Sequence, residues 1–256
     1  MSVLAPYVTS LQAYDVPAGA PAVHRGLPDT SLTLVLGLGR PVDVGWADGT
    51  GRAARWSTVS GLHAGPAAIH QDGPQRGVSV GLTPAGARAL LGVPAAALAG
   101  ELLELADVAP DLADLPERVQ GGSPVAVVVQ ALSAALARRG AVGPRAEVGR
   151  ALARLARGGR VEEAAAEVGL SRRRLGTLVR DETGLTPKAY QRVARFSASR
   201  VLLGRRSLAE VAATCGYADQ GHLAREWSAL AGCPPSTWLR EEFPFLQDLG
   251  GPGDPD

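Results

Sequence analysis

Ala165-Ala166-Glu167-Val168-Gly169-Leu170-Ser171 is echoed 47 residues later by Ala212-Ala213-Thr214-Cys215-Gly216. Past that glycine the offset becomes 48, so that Leu175 answers to Leu223, Val179 to Trp227, Gly184 to Gly232, Pro187 to Pro235 and Tyr190 to Trp238. A solenoid or propeller with a period near 50 needs at least three units to bury a core. Two copies punctuated by small residues and glycine predict a pair of helix-turn-helix units instead. In the first copy Val161 to Val168 is amphipathic, with Val161, Ala164, Ala165 and Val168 on one face. Gly169 stands where a helix C-cap needs positive φ. Ser171 is the expected N-cap of a second helix, Arg172 to about Thr183, that buries Leu175, Leu178 and Val179. Arg173, Gly176, Thr177 and Arg180 are left facing outward. In the second copy Leu208, Val211 and Ala212 point inward, Gly216 makes the turn and Asp219 is the N-cap. Leu223, Trp227 and Leu230 then form the buried stripe, so Gln220, Gly221, Ala224 and Arg225 face out.

The small residue four before each glycine lets two helices cross at a steep angle with their backbones close. Such a pair lays its second helix in the major groove of B-DNA, which is wide enough to admit one. Between the copies, Pro187 to about Gly204 reads as one longer helix, with Pro187 at N1 and Tyr190, Val193, Ala194, Ser197, Val201 and Leu202 at helical spacing. A rigid connector would hold both reading helices in fixed relation, and successive major-groove windows on one DNA face lie about 34 Å apart. One chain is therefore expected to read two windows without dimerising.

Residues 144–241 resemble the DNA-binding domain of the AraC/XylS family of bacterial transcription regulators. The resemblance is carried by Ala165 to Ser171, by Thr183-Gly184-Leu185-Thr186-Pro187-Lys188-Ala189-Tyr190, and by Ala212 through Gly216-Tyr217-Ala218-Asp219-Gln220 to His222-Leu223-Ala224-Arg225-Glu226-Trp227. It implies double-stranded DNA and RNA polymerase as partners. There are departures: Val179 and Trp227 stand where the family usually has phenylalanine, Gly221 where serine or another polar residue is common, and Gly176 and Thr177 where longer polar side chains are frequent. The last three shorten the reach of base-reading positions, so few side chains are expected to read the first window. Arg173, Gly176, Thr177, Gln220, Gly221, Ala224 and Arg225 are the base-facing candidates, and Arg172, Arg174 and Arg180 the phosphate candidates. Glu226 is expected to orient its neighbour Arg225.

Charge supports this division. The net charge of the 256 residues is only +1, but residues 144–240 hold 17 arginines and lysines against nine acids, whereas residues 1–142 hold nine against eleven. An anionic partner belongs on the basic half, because neutralised phosphates release condensed counterions. No apolar run reaches the about 18 residues of a membrane span, and Met1 to Ser10 lacks the basic start of a secretory leader, so a cytoplasmic location is expected. Cys215 and Cys233, the two cysteines, lack metal-ligand spacing and read as free thiols of a reduced compartment.

Residues 1–122 are punctuated by glycine and proline and read as a sensor or dimerisation domain. Ser31 to Leu38 and Arg76 to Leu82 suit strands, with Val42 to Trp46 and Trp56 to Gly61 weaker candidates. Pro84 to Leu91, Leu98 to Leu105 and Leu112 to Val119 suit helices. Strands followed by helices predict an α+β unit, a small barrel with a helical edge. Gly77 to Leu82, followed by Gly86-Ala87-Arg88-Ala89-Leu90-Leu91-Gly92-Val93-Pro94, is similar to one subgroup of the family, which implies a cupin-like sensor and a small-molecule effector. Pro124 to Arg139 is an amphipathic helix within a connecting segment, 123–143, and fits either a homodimer contact or a connector. Residues 242–256 form a tail, disordered by composition over its final Gly/Pro/Asp run. The expected fold class is thus multidomain: an α+β, cupin-like N-terminal domain followed by an all-α double helix-turn-helix domain.

His24, His63 and His70 form no His-x-His pair, so no metal is expected, and Trp46 and Trp56 read as packing residues that also suit an effector pocket. No cofactor is expected either. The N-terminal half has no cysteine, which removes an alkyl-transfer repair chemistry that needs a thiolate. No catalytic triad, paired carboxylates or phosphate loop is present, and Gly37-Leu38-Gly39 lacks a third glycine. No catalytic residue is therefore assigned. Exposed Arg173, Gln220 and Arg225 favour sequence-specific regulation over nucleoid packing, since arginine and glutamine pair bidentately with guanine and adenine. The alternative reading is a small-molecule-binding cupin-like protein with a weakly specific DNA-binding domain.

Overall fold

The computed structural model describes residues 2–17, 23–140 and 145–241. The first part is built on two antiparallel sheets. Strands β1 (Val8–Val16), β8 (Gln75–Leu82), β3 (Leu32–Leu38), β6 (Ser57–Ser60) and β9 (Leu102–Leu103) form one sheet in that order. Strands β2 (Val23–Gly26), β7 (Ala67–His70), β4 (Val42–Trp46) and β5 (Ala53–Arg55) form the other. Alternation explains which face is buried. Leu32, Leu34 and Leu36 of β3 and Val78, Val80 and Leu82 of β8 have no exposed surface, and the register sets Leu34 opposite Val80 and Leu36 opposite Val78. The expected strands 31–38, 42–46, 56–61 and 76–82 correspond to β3, β4, β6 and β8.

Two expected helices are broken. Leu98–Leu105 is not helical: a 3-10 turn ends at Leu98, Gly100 takes φ +76°, and Leu102–Leu103 pair with Ser60 and Val59 as a sheet edge. Over Leu112–Val119 only the single turn α3 (Leu115–Arg118) is α-helical, after a 3-10 turn at Pro110–Leu112. Pro84–Leu91 begins as the short α1 (Pro84–Gly86), capped by the Thr83 hydroxyl, and widens into a π-turn that ends at Gly92. Another single turn, α2, spans Leu105–Val108. β1 lacks a regular apolar alternation because it is an edge strand whose residues are mostly exposed.

Helix α4 (Pro124–Arg139) is neither a free connector nor an unpartnered face. Val128, Leu132 and Ala135 are completely buried in the core that holds β3 and β8. The first core therefore includes a helix beyond the boundary expected at residue 122. The segment 141–143 and the tail from 242 lie outside the described residues.

The remaining helices form two smaller cores. Helices α5 (Ala146–Ala156), α6 (Val161–Glu167) and α7 (Arg172–Thr183) enclose Val148, Leu152, Leu155, Ala164, Ala165, Leu175 and Val179. The other core draws on α8 (Pro187–Leu202), α9 (Leu208–Thr214), α10 (Gln220–Ala231) and α11 (Pro235–Glu241). There Trp227 is fully buried between Phe196 and Trp238, at ring-centroid distances of 4.4 and 5.6 Å. Along α8 the buried stripe is Tyr190, Val193, Ala194, Phe196 and Ser199. Val201, expected inside, is 45% exposed, because helical spacing from Phe196 turns it to the outer side.

Candidate nucleic-acid interface

Both units are built alike. In the first, α6 ends at Glu167 with Val168 as its C-cap, Gly169 takes φ +70°, and the Ser171 hydroxyl accepts from the Arg174 amide at 3.2 Å to start α7. In the second, α9 opens on a reciprocal cap in which Glu210 accepts from the Ser207 amide at 2.9 Å and Ser207 accepts from the Glu210 amide at 3.3 Å. Gly216 takes φ +73°, and Asp219 accepts from the His222 amide at 2.6 Å to start α10. The αL glycine between helices is what lets each chain reverse within a few residues.

Each second helix offers one outer face. Arg173, Thr177, Gln220, Gly221 and Arg225 are exposed, and Gly176 and Ala224 are half-buried at the edge of the same faces. Thr177 spends its hydroxyl on the Arg173 carbonyl at 3.2 Å. A Cβ on Gly176 would meet nothing within 4 Å, whereas one on Gly221 would lie 3.3 Å from Arg225 Nη1. The Arg225 guanidinium therefore lies back over the glycine at the front of its own helix. Arg173, Arg174, Arg180 and Arg225 form no ion pair among the described residues. Arg172 differs: it pairs with Glu162 of α6 at 2.8 Å. With its side chain 70% exposed, that pair is weak enough for a phosphate to replace.

Glu226 does not orient Arg225. It binds Arg192 at 3.2 Å and Arg195 at 2.7 Å, with His222 at 3.7 Å, and so ties α10 to the connecting helix α8. Neighbours in sequence point about 100° apart on a helix, which sends these two side chains to different faces. Exposed Arg157, Arg160, Arg205 and Arg206, in the loops leading into α6 and α9, add basic surface that the sequence reading did not single out.

Residues 164–241 match the family model described as a helix-turn-helix domain. This region is a helix-turn-helix domain. No curated protein matches the chain in sequence. Among solved structures, ToxT from Vibrio cholerae O395 is similar over 91% of this chain and 97% of its own, with 11% identity and a TM-score of 0.53. Unsaturated fatty acid-bound ToxT from Vibrio cholerae strain SCE256 is similar over 92% and 95%, with 11% identity and a TM-score of 0.52. The likeness spans both parts of the molecule: a β-rich N-terminal domain and a helical helix-turn-helix domain share one arrangement.

Ahead of the helix-turn-helix domain, a cleft of about 460 Å³ opens on the outer face of the β2-β7-β4-β5 sheet, among Arg40, Asp43, Arg52, His70 and Gln75. Arg52 meets Asp43 at 2.7 Å and Arg40 meets Asp72; the Arg52 hydrogen bond holds the Asp43 carboxyl below its usual range. Trp46 and Trp56 are not part of this cleft. Trp46 packs edge-on against His63 at 5.1 Å, and Trp56 is 45% exposed. His63 Nδ1 lies 2.6 Å from the Gly65 carbonyl, and burial lowers its pKa. His24 Nε2 lies 2.9 Å from the Gln71 amide oxygen. Among the described residues no group of three or more His, Cys, Asp or Glu is placed to hold a metal, and no helix is long and apolar enough to cross a membrane.

Proposed function

We propose that this chain is a sequence-specific DNA-binding transcription regulator that reads two adjacent major-groove windows with α7 and α10. One observation carries the reading: two equivalent units, joined by the single helix α8, present unpaired arginines on the exposed face of their second helix. Arg173, Gln220 and Arg225 serve as base readers, since bidentate arginine and glutamine contacts distinguish guanine and adenine. Gly176, Gly221 and Ala224 let the backbone approach, and Thr177 offers a methyl to thymine. Arg172, Arg174 and Arg180 take phosphates. The protein acts in the cytoplasm by binding alone, without catalysis, and meets RNA polymerase at the promoter. Its β-rich domain governs the DNA-binding half through a small-molecule effector or through dimerisation. The fatty acid carried by ToxT, which shares this arrangement, supports the effector route. Selection of binding sites from random duplexes tests the reading: it requires a motif of two blocks one helical turn apart. Binding with no preference over competitor DNA would overturn it.

A further inference from the structure

The N-terminal domain touches both reading helices at one equivalent point. Gly184 and Gly232, 48 residues apart in the repeat, close α7 and α10 in the αL conformation. A Cβ on Gly184 would collide with the Ala99 methyl, and one on Gly232 would press within 3.2 Å of Pro66 Cγ. Ala99 and Pro66 both belong to the β-rich domain.

One departure from the repeat strengthens the first contact. Leu230, fully buried in the second unit, corresponds to Glu182 in the first. Glu182 is only 5% exposed and sits in the last turn of α7, where the helix dipole opposes a carboxylate. Burial of that charge is tolerable only with a partner. The partner is Arg88, which donates from Nε to Oε1 and Oε2 at 3.1 Å each and from Nη2 to Oε2 at 3.0 Å. The connecting helix is held as well: Asp29 accepts from Ser197 Oγ at 3.1 Å and from Arg200 Nη2 at 3.0 Å. Leu185, just past Gly184, packs against all three large cores.

These grips leave the reading faces open. Arg173 lies eleven residues before Gly184 and Arg225 seven before Gly232, about 16 and 10 Å along a helix, so the domain holds each helix by its C-terminal end, away from these base-facing candidates. We infer that the N-terminal domain is a spacer clamp: it fixes the separation and angle of α7 and α10, and hence the distance between the two DNA windows the chain accepts. The inference rests on the two-window reading above. Inserting one base pair between windows both shifts and rotates the second, and a rigidly held pair of helices cannot follow. A pair joined by α8 alone has more freedom.

The test measures full-length chain on its selected operator and on duplexes with one or two base pairs added or removed between the blocks. Wild type should lose tenfold or more in affinity per displaced base pair, as loss of a bidentate base contact does. Arg88→Ala should bind the one-base-pair variants within about threefold of the native spacing. Glu182→Leu, which places the second unit's residue in the first, breaks the ion pair and leaves the unpaired charge on Arg88, whose side chain is one-third exposed to solvent, rather than on a buried group; it should do the same, and it decides the matter where Arg88→Ala does not fold. Pro66→Gly should loosen spacing from the other side. Spacing dependence as steep as wild type in Glu182→Leu, or equal loss at every spacing, overturns the clamp while leaving the regulator reading intact. Wild type without sequence preference overturns both.

Discussion

Arg225, Arg173 and Arg180 are chemically identical, and position alone separates their expected roles. Arg225 and Arg173 lie on the exposed faces of α10 and α7 that we propose meet base edges, one per window. Arg225→Ala should cost about 1–3 kcal/mol and relax specificity at one base pair, with Arg173→Ala doing the same one helical turn away. Arg180→Ala should instead weaken binding to all sequences alike and reduce the salt slope by about one. Site selection with each variant checks the division, and a full motif retained by Arg225→Ala would make that side chain a phosphate clamp. The exposure of these residues was legible because a 3.6-residue period assigns sides without knowledge of neighbours. The partner of Glu226 was not, since Arg192 and Arg195 come 34 and 31 residues earlier and reach it only after α8 and α10 pack.

At the scale of elements, Trp227 is the keystone of the second unit, fully buried between Phe196 and Trp238. Trp227→Ala should destabilise that core by about 3–5 kcal/mol, measured by urea unfolding followed through the remaining tryptophans. Asp219→Ala should cost about 1 kcal/mol through loss of the cap on α10, and DNA affinity should fall with it as the base-facing turn frays. Helices α4, α7 and α8 were legible because each begins with a capping residue or proline and keeps one apolar stripe. β1 and β9 were not: an edge strand needs no regular alternation, and two residues beside Gly100 become a strand only because β6 lies next to them.

At the scale of the molecule, the fragment 140–245 contains every base- and phosphate-facing candidate and both helical cores. It should bind DNA by itself, with log affinity falling against log salt at a slope of about −3 to −5 for a handful of phosphate contacts. Titration of the fragment at several salt concentrations checks this, and a folded fragment that needs the β-rich half for any binding would refute it. Its affinity should be less dependent on window spacing than that of the whole chain, because Arg88, Asp29 and Pro66 no longer hold it.

The sequence by itself determined the local units: two helix-turn-helix copies, the glycines that turn them, the caps that start them, the faces they expose and the strands of highest apolar alternation. Each follows from φ preference, side-chain period and hydrogen-bond capacity within a few residues. Only the tertiary structure decided which residues from distant parts of the chain meet. Glu182 reads as one more solvated acid until Arg88, 94 residues earlier, is brought against it. Leu185 reads as a loop residue until three cores converge on it. Contacts of that kind depend on how whole elements pack, and a repeat in one half of a chain carries no record of what the other half will press against it.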